Sequence, residues 1–161
     1  MSRTAREKIR SLRTLAPLAR RARAQGKTIV LTNGCFDLLH AGHVKLLERA
    51  KRYGDLLIVA VNSDRSVRGL KGPTRPIVGQ RDRATVLAAL ESVDYVTVFD
   101  ASTPQRVVEA LRPDVLIKGA DWGARDIVGR ETVERRHGRV IRLPLIKDHS
   151  TTHLIERIKR R

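Results

Sequence analysis

Short apolar runs bounded by turn residues alternate along this chain with stretches whose apolar positions recur at helical spacing. The runs at 28–32, 56–61, 95–99, 114–117 and 140–143 read as strands. Between them, 44–53, 80–90, 104–111 and 127–137 read as helices, and a last helix covers 151–159. Near-continuous apolar strands separated by helices are the mark of a parallel sheet covered on both faces. Right-handed crossovers then give a Rossmann-like, doubly wound α/β domain with a mainly parallel five-stranded sheet. The first two dozen residues predict one further helix, amphipathic through Ile9, Leu12, Leu15, Leu18 and Ala22 and ending at Gly26. The organisation expected is therefore a basic helix over 1–26, packed on or leading into a domain over 27–161. No internal repeat or low-complexity segment interrupts it. The longest irregular piece, 69–79, carries Lys71, Arg75 and two prolines, which make it stiff.

Charge narrows the partners. The chain has 161 residues, the size of one ordinary domain, and a formal net charge of +16. Arginine supplies more of it than lysine, which favours bidentate phosphate contacts. The basic residues are densest at the two ends and aromatics for base stacking are few, so a polyanionic small substrate is favoured over a dedicated nucleic-acid binder. A single cysteine, Cys35, excludes an internal disulfide and fits a reducing compartment; it reads as a small buried hydrophobe. With no secretory or membrane-length apolar run, a cytoplasmic protein is expected.

The candidate chemistry sits in residues 32–43, where His40 and His43 bracket Gly42 between the first strand and the helix that follows it. The free N–H groups and positive dipole end of a helix favour an anion there. Gly42 lets a phosphate approach the backbone, and two imidazoles can donate to different phosphoryl oxygens. Asp37 would repel such a ligand unless it faced backbone donors, so it reads as orienting the turn. Asp64 follows a strand end and is placed to cap the short helical stretch after it, and Ser150 to cap the last helix. His137, His149 and His153 share no ligand spacing, so no protein-held metal site is assigned.

Several ordered blocks then coincide with a known pattern. They are Thr32-Asn33-Gly34-Cys35-Phe36-Asp37 with Leu38-Leu39-His40-Ala41-Gly42-His43, Val61-Asn62-Ser63-Asp64, Leu70-Lys71-Gly72 with Arg75-Pro76, Arg83, Arg112-Pro113-Asp114, Lys118-Gly119-Ala120-Asp121-Trp122, Ile127-Val128-Gly129 and Ser150-Thr151-Thr152. In these the chain resembles the HxGH nucleotidyltransferases, and among them the adenylyltransferase domain of bifunctional heptose-phosphate kinase/adenylyltransferases. The resemblance implies transfer of AMP from ATP to a sugar 1-phosphate, D-glycero-β-D-manno-heptose 1-phosphate, giving ADP-heptose and pyrophosphate. It implies Mg2+ carried on the triphosphate, a heptose-phosphate kinase on a separate chain and, by commonest symmetry, a homodimer.

The same resemblance distributes roles. His40, His43 and Lys45 meet the phosphates during catalysis. Thr32, Asn33, Gly34, Cys35, Phe36 and Gly42 border the nucleotide, as do Lys118, Gly119, Asp121 and Trp122, which shape the base pocket. Ser150, Thr151 and Thr152 hold β- and γ-phosphates. Asn62, Asp64, Lys71, Arg75 and Arg83 face the substrates, with Arg83 as a bidentate phosphate clamp. Two other readings stay open. A cytidylyltransferase for an alcohol phosphate shares the histidine turn, Lys45 and 150–152, but Leu145-Ile146-Lys147-Asp148-His149 replaces the Arg-Thr-Glu-Gly block that such enzymes carry. A nucleic-acid-binding module on the same fold would bind in a salt-dependent way without releasing pyrophosphate.

Overall fold

The computed structural model describes residues 3–123, 125–144 and 150–160. Five strands, β1 (Ile29–Gly34), β2 (Leu56–Asn62), β3 (Tyr95–Phe99), β4 (Val115–Gly119) and β5 (Arg139–Leu143), form one sheet in the order β3-β2-β1-β4-β5. Every pairing is parallel. The strands fall where the apolar runs predict them, shifted by a residue or two at their ends.

Alternation along the strands divides the core in two. Val30, Leu57, Val59, Val61, Val115 and Ile117 point to one face, which is covered by α3 (Ala41–Lys51) and α5 (Gln80–Ala89) through Leu47, Ala50, Ala84, Leu87 and Ala88. Ile29, Leu31, Ile58, Ala60 and Leu116 point to the other. There α2 (Leu12–Ala24), α6 (Gln105–Leu111) and α7 (Arg130–Glu134) cover them through Leu15, Ala19, Val107, Val108, Leu111 and Val133. The helices on both faces make the doubly wound arrangement, and strand order reverses between β1 and β4.

Aspartates at the start of the sheet hold its register. Asp55, Asp94 and Asp114 accept from the backbone N–H groups of Thr28, Leu57 and Ile29 at 2.7, 2.7 and 2.8 Å. Each carboxylate thus satisfies a donor that the first ladder position leaves open.

Five expectations change, the first being that α3 begins at Ala41, three residues earlier than predicted, so that Gly42 and His43 lie in its first turn. The leading segment is two helices, α1 (Ala5–Lys8) and α2, because Ser11 caps α2 by accepting from Thr14 N–H and Ile9 bridges to Val96 on the edge strand. Arg10 N–H donates to Val96 C=O at 2.9 Å, so an extended turn replaces the continuous helix and covers part of the sheet edge. Helix α7 begins three residues later than predicted: Gly129 takes φ +90°, and a Cβ there would lie 2.7 Å from Val108. Residues 69–71 belong to α4 (Asp64–Lys71) rather than to the irregular segment, which starts at Gly72 with φ +96°. Finally, the cap of α4 is Ser63, accepting from Ser66 N–H at 3.0 Å, and Asp64 is the first helical residue. The last helix, α8 (Thr151–Lys159), has the predicted bounds.

Leu15 is fully enclosed between α2 and the sheet. Replacing it with alanine is expected to cost about 2–5 kcal/mol, read as a shift of the urea midpoint with unchanged slope. A loss under 0.5 kcal/mol would mean that α2 is not part of the cooperative unit.

Candidate functional site

The site is built where β1 leaves the sheet. After Gly34 the chain turns through Phe36, a non-glycine residue at φ +47°, and reaches His40, the N-cap of α3. A left-handed phenylalanine is costly and persists only where its surroundings fix it. Here they do, since the Phe36 ring is buried in the first core and meets the His43 ring with centroids 5.3 Å apart.

The two imidazoles are set by the backbone. Gly42 N–H donates to His40 Nδ1 at 3.1 Å, and His40 N–H donates to His43 Nδ1 at 3.3 Å. An Nδ1 that accepts carries no proton, so a neutral ring in either position holds its hydrogen on Nε2. The rings stack with centroids 3.9 Å apart and planes 27° from parallel. Burial, and then the neighbouring His40, lower the His43 pKa from 6.5 to about 4. At neutral pH His43 is therefore an uncharged donor in the first turn of α3, where the Gly42 and His43 N–H groups are already bonded to His40.

A second layer fixes this turn. Asp37 is buried and accepts from Ile77 and Val78 N–H, each at 2.9 Å, and from Arg75 Nε at 2.5 Å. Burial raises its pKa, but the Val78 and Ile77 amides and then Arg75 outweigh that and hold it below the ordinary value. The carboxylate faces donors, as expected of a residue that orients the turn. Arg75 is accordingly tied to the protein as Asp37's partner.

Arg83 corrects the sequence reading. Its side chain is fully buried, and it donates to Val78 C=O at 2.9 Å, Cys35 C=O at 2.5 Å and Asp64 Oδ1 at 2.8 Å. A guanidinium spent on three protein acceptors and closed to solvent is a bolt under the loop, not a ligand clamp. Asp64 is likewise the partner of Arg83. Phe36 and Thr32 are buried within the sheet layer, so their side chains support the site from beneath.

Other named residues are brought to the same edge. Thr151 Oγ1 donates to Leu38 C=O at 3.2 Å, which places the start of α8 against the histidine loop. Ser150 caps α8 by accepting from His153 N–H at 3.0 Å, and Thr152 is exposed. Lys71 is exposed at the end of α4, close enough to act electrostatically on Cys35, whose thiol burial pushes up. Lys45 is exposed on α3 beyond its first turn. Asn62 is buried and donates through Nδ2 to Ser66 Oγ at 2.9 Å. Beyond β4, Lys118 is buried with its ammonium 4.8 Å from the centroid of the half-exposed Trp122 ring. Burial lowers its pKa to about 8, against the opposing pull of Asp121 and Cys35. Gly119 C=O accepts from Trp122 N–H at 3.2 Å, folding the turn that carries Asp121. Leu145 to His149 lie outside the described residues; His137 lies in the turn between α7 and β5, and His153 on α8. The support that Phe36 gives His43 was not visible as a separate role in the sequence; its one signal is an aromatic between two turn residues.

Comparison with known proteins follows this geometry. Residues 31–157 match the family described as Cytidylyltransferase-like. The chain is 51% identical over 151 residues to "Bifunctional protein HldE" of Syntrophotalea carbinolica and 52% identical over 151 residues to the protein of that name from Geobacter sulfurreducens. Each alignment covers 94% of this chain and 31% of the relative, so the chain spans about a third of the length of these curated relatives. Among solved structures, a lipopolysaccharide core biosynthesis protein from Thermoplasma volcanium superposes with a TM-score of 0.63 at 25% identity, covering 77% of this chain and all of that one.

The His43 shift has a consequence for stability. Its folded pKa of about 4 lies below the ordinary 6.5, so its contribution is complete above pH 6.5 and is lost as pH falls towards 4. His43→Gln is expected to show a flatter dependence of the denaturation midpoint on pH across that window. Parallel profiles for the two proteins would show that His43 titrates normally.

Proposed function

The chain belongs to the cytidylyltransferase-like family, and from that premise we propose that it transfers AMP from ATP to D-glycero-β-D-manno-heptose 1-phosphate, releasing pyrophosphate and forming ADP-heptose. The observation that carries this reading is the pair of stacked imidazoles at the first turn of α3, whose Nδ1 atoms accept from the backbone so that a neutral ring holds its hydrogen on Nε2. The identity to the HldE proteins supports the choice of sugar and nucleotide.

A phosphate monoester is already ionised near neutral pH, so an oxygen of the sugar phosphate attacks the α-phosphorus without a strong general base. The new P–O bond forms as the bond to pyrophosphate breaks, and the leaving group carries away the electron pair. Negative charge builds on the equatorial oxygens and on the departing phosphates. Imidazole donors fixed beforehand at the positive end of the helix stabilise that charge without rearranging during reaction. At the start of α8 Thr151 anchors the helix to Leu38 and the exposed Thr152 hydroxyl serves the β- and γ-phosphates, while Lys71 and Lys45 add positive charge at the rim.

Mg2+ fits as an ion carried by the triphosphate, because Asp37 and Asp64 beside the loop are engaged by Arg75 and Arg83. When bound, it offsets phosphate charge and favours departure of pyrophosphate. The acceptor phosphate requires a sugar kinase upstream.

Pyrophosphate release should be measured with ATP, CTP, GTP and UTP against heptose 1-phosphate and glycerol 3-phosphate. Release with ATP and the heptose phosphate is expected; release with CTP and glycerol 3-phosphate alone would overturn the assignment. His43→Ala is expected to lower kcat by about 100-fold or more with an unchanged circular dichroism spectrum. A variant of full activity would remove the imidazole pair from the mechanism.

A further inference from the structure

The phosphate-facing groups occupy one side of β1, and the other side carries a different chemistry. Alternation places Val30 in the core beneath α3 and α5, whereas Ile29 and Leu31 enter the core beneath α2, α6 and α7. Asn33 continues the second row, on the face opposite the histidine helix. In the neighbouring strand β4, Leu116 lies in that second core and Lys118 continues its row. Asn33 and Lys118 stand one step beyond the last paired positions, Thr32 and Ile117. They therefore flank the point where strand order reverses, the crevice in which open α/β sheets bind ligands. Across adjacent strands their Cα atoms are about 5 Å apart.

Among the described residues, neither Asn33 Oδ1 nor the Lys118 ammonium has a hydrogen-bond partner. Asn33 Oδ1 is buried and has no hydrogen bond, and exchanging the amide oxygen and nitrogen would leave a buried NH2 in the same position. Lys118 makes no hydrogen bond among the described residues, and its ammonium rests over Trp122. An unsatisfied buried carboxamide costs free energy that a ligand group can recover. Thr97 Oγ1 is also buried and unpartnered, but Thr97 is wholly enclosed on β3, whereas Asn33 is half-buried at the crevice. A carboxamide is neutral and presents an acceptor beside donors, which matches a hydroxyl better than a phosphate.

We propose that Asn33 is a specificity-determining residue that hydrogen-bonds a ring hydroxyl of a bound sugar, beside Lys118, while the phosphates of the same ligand cross the end of β1 to the histidine side. This rests on the proposed nucleotidyl transfer and adds to it the side of the strand on which the sugar is read. The hydroxyl belongs either to the ribose of the nucleotide or to the acceptor ring. Lys118, with a pKa near 8, is charged in part at neutral to mildly alkaline pH and serves the adjoining oxygen acceptors.

The test is equilibrium binding by calorimetry, with wild type and Asn33→Ala each titrated with ATP, 2′-deoxy-ATP, 3′-deoxy-ATP, heptose 1-phosphate and inorganic tripolyphosphate. Wild type is expected to bind one hydroxylated ligand on the order of ten-fold more tightly than Asn33→Ala does. Tripolyphosphate should bind both proteins equally. If the ribose is read, the variant will also lose the preference for ATP over one deoxy analogue. If the acceptor is read, the loss will be confined to heptose 1-phosphate. Equal affinities of the two proteins for every ligand would overturn the proposal, and so would a lowered melting temperature with unchanged affinities, the mark of a purely structural amide. Turnover is measured separately: a wild type that binds these ligands but releases no pyrophosphate defeats the proposed reaction while leaving the role of Asn33 to the binding data.

Discussion

The site depends on one enclosed guanidinium. Arg83 is fully buried on α5 and ties three segments distant in sequence: Cys35 in the loop after β1, Val78 in the connector before α5, and Asp64 at the start of α4. Enclosing a cation is expensive unless its donors are matched, and here two carbonyls and a carboxylate meet them. The loop that carries the histidines is consequently fixed before any ligand arrives. Asp37 works in the same direction from the other side, drawing the backbone of Ile77 and Val78 and the Arg75 side chain beneath the turn.

On that base the backbone decides the protonation of the imidazoles. Two amides donating to two Nδ1 atoms select the Nε2–H tautomer, and burial keeps His43 neutral. Charged imidazoles 3.9 Å apart would repel, so the arrangement suits donors that stay uncharged until phosphate charge develops. In the proposed reaction a polyanion would meet oriented dipoles near the strand end and the exposed ammonium groups of Lys71 and Lys45 at the rim.

Much of this was legible in the sequence, for identifiable reasons. Parallel strands are buried on both faces, so their apolar runs stand out, and the histidine turn lies where a run ends and a helical period begins. Ser150 as a cap and Asp37 as an acceptor of backbone donors followed from residue chemistry and match the observed contacts. The break at Ile9 was hidden because an isoleucine at helical spacing serves equally well at a strand edge; only its pairing with Val96 separates the two. Arg83 was misread because an arginine that clamps phosphate and one that clamps carbonyls have the same side chain, and what distinguishes them is burial set by residues far away in the chain. The same limit applied to Asp64, one position too late to cap α4 when Ser63 is available.

The sheet as a whole separates charge. Asp55, Asp94 and Asp114 collect at the end where strands begin and accept backbone hydrogens there, while His40, His43, Lys71 and Lys118 gather where strands end. These three carboxylates are thus kept a strand's length, about 17–20 Å, from the edge that carries the histidine turn, where they would oppose an anion. Of the carboxylates near that edge, Asp37, Asp64 and Asp100 are each paired with an arginine, and Asp121 lies close enough to Lys118 to act on it. Net charge alone would attract any polyanion to any face of this molecule. The pairing of acid with arginine beneath the loop, and the collection of Asp55, Asp94 and Asp114 at the far edge, favour the histidine edge for it.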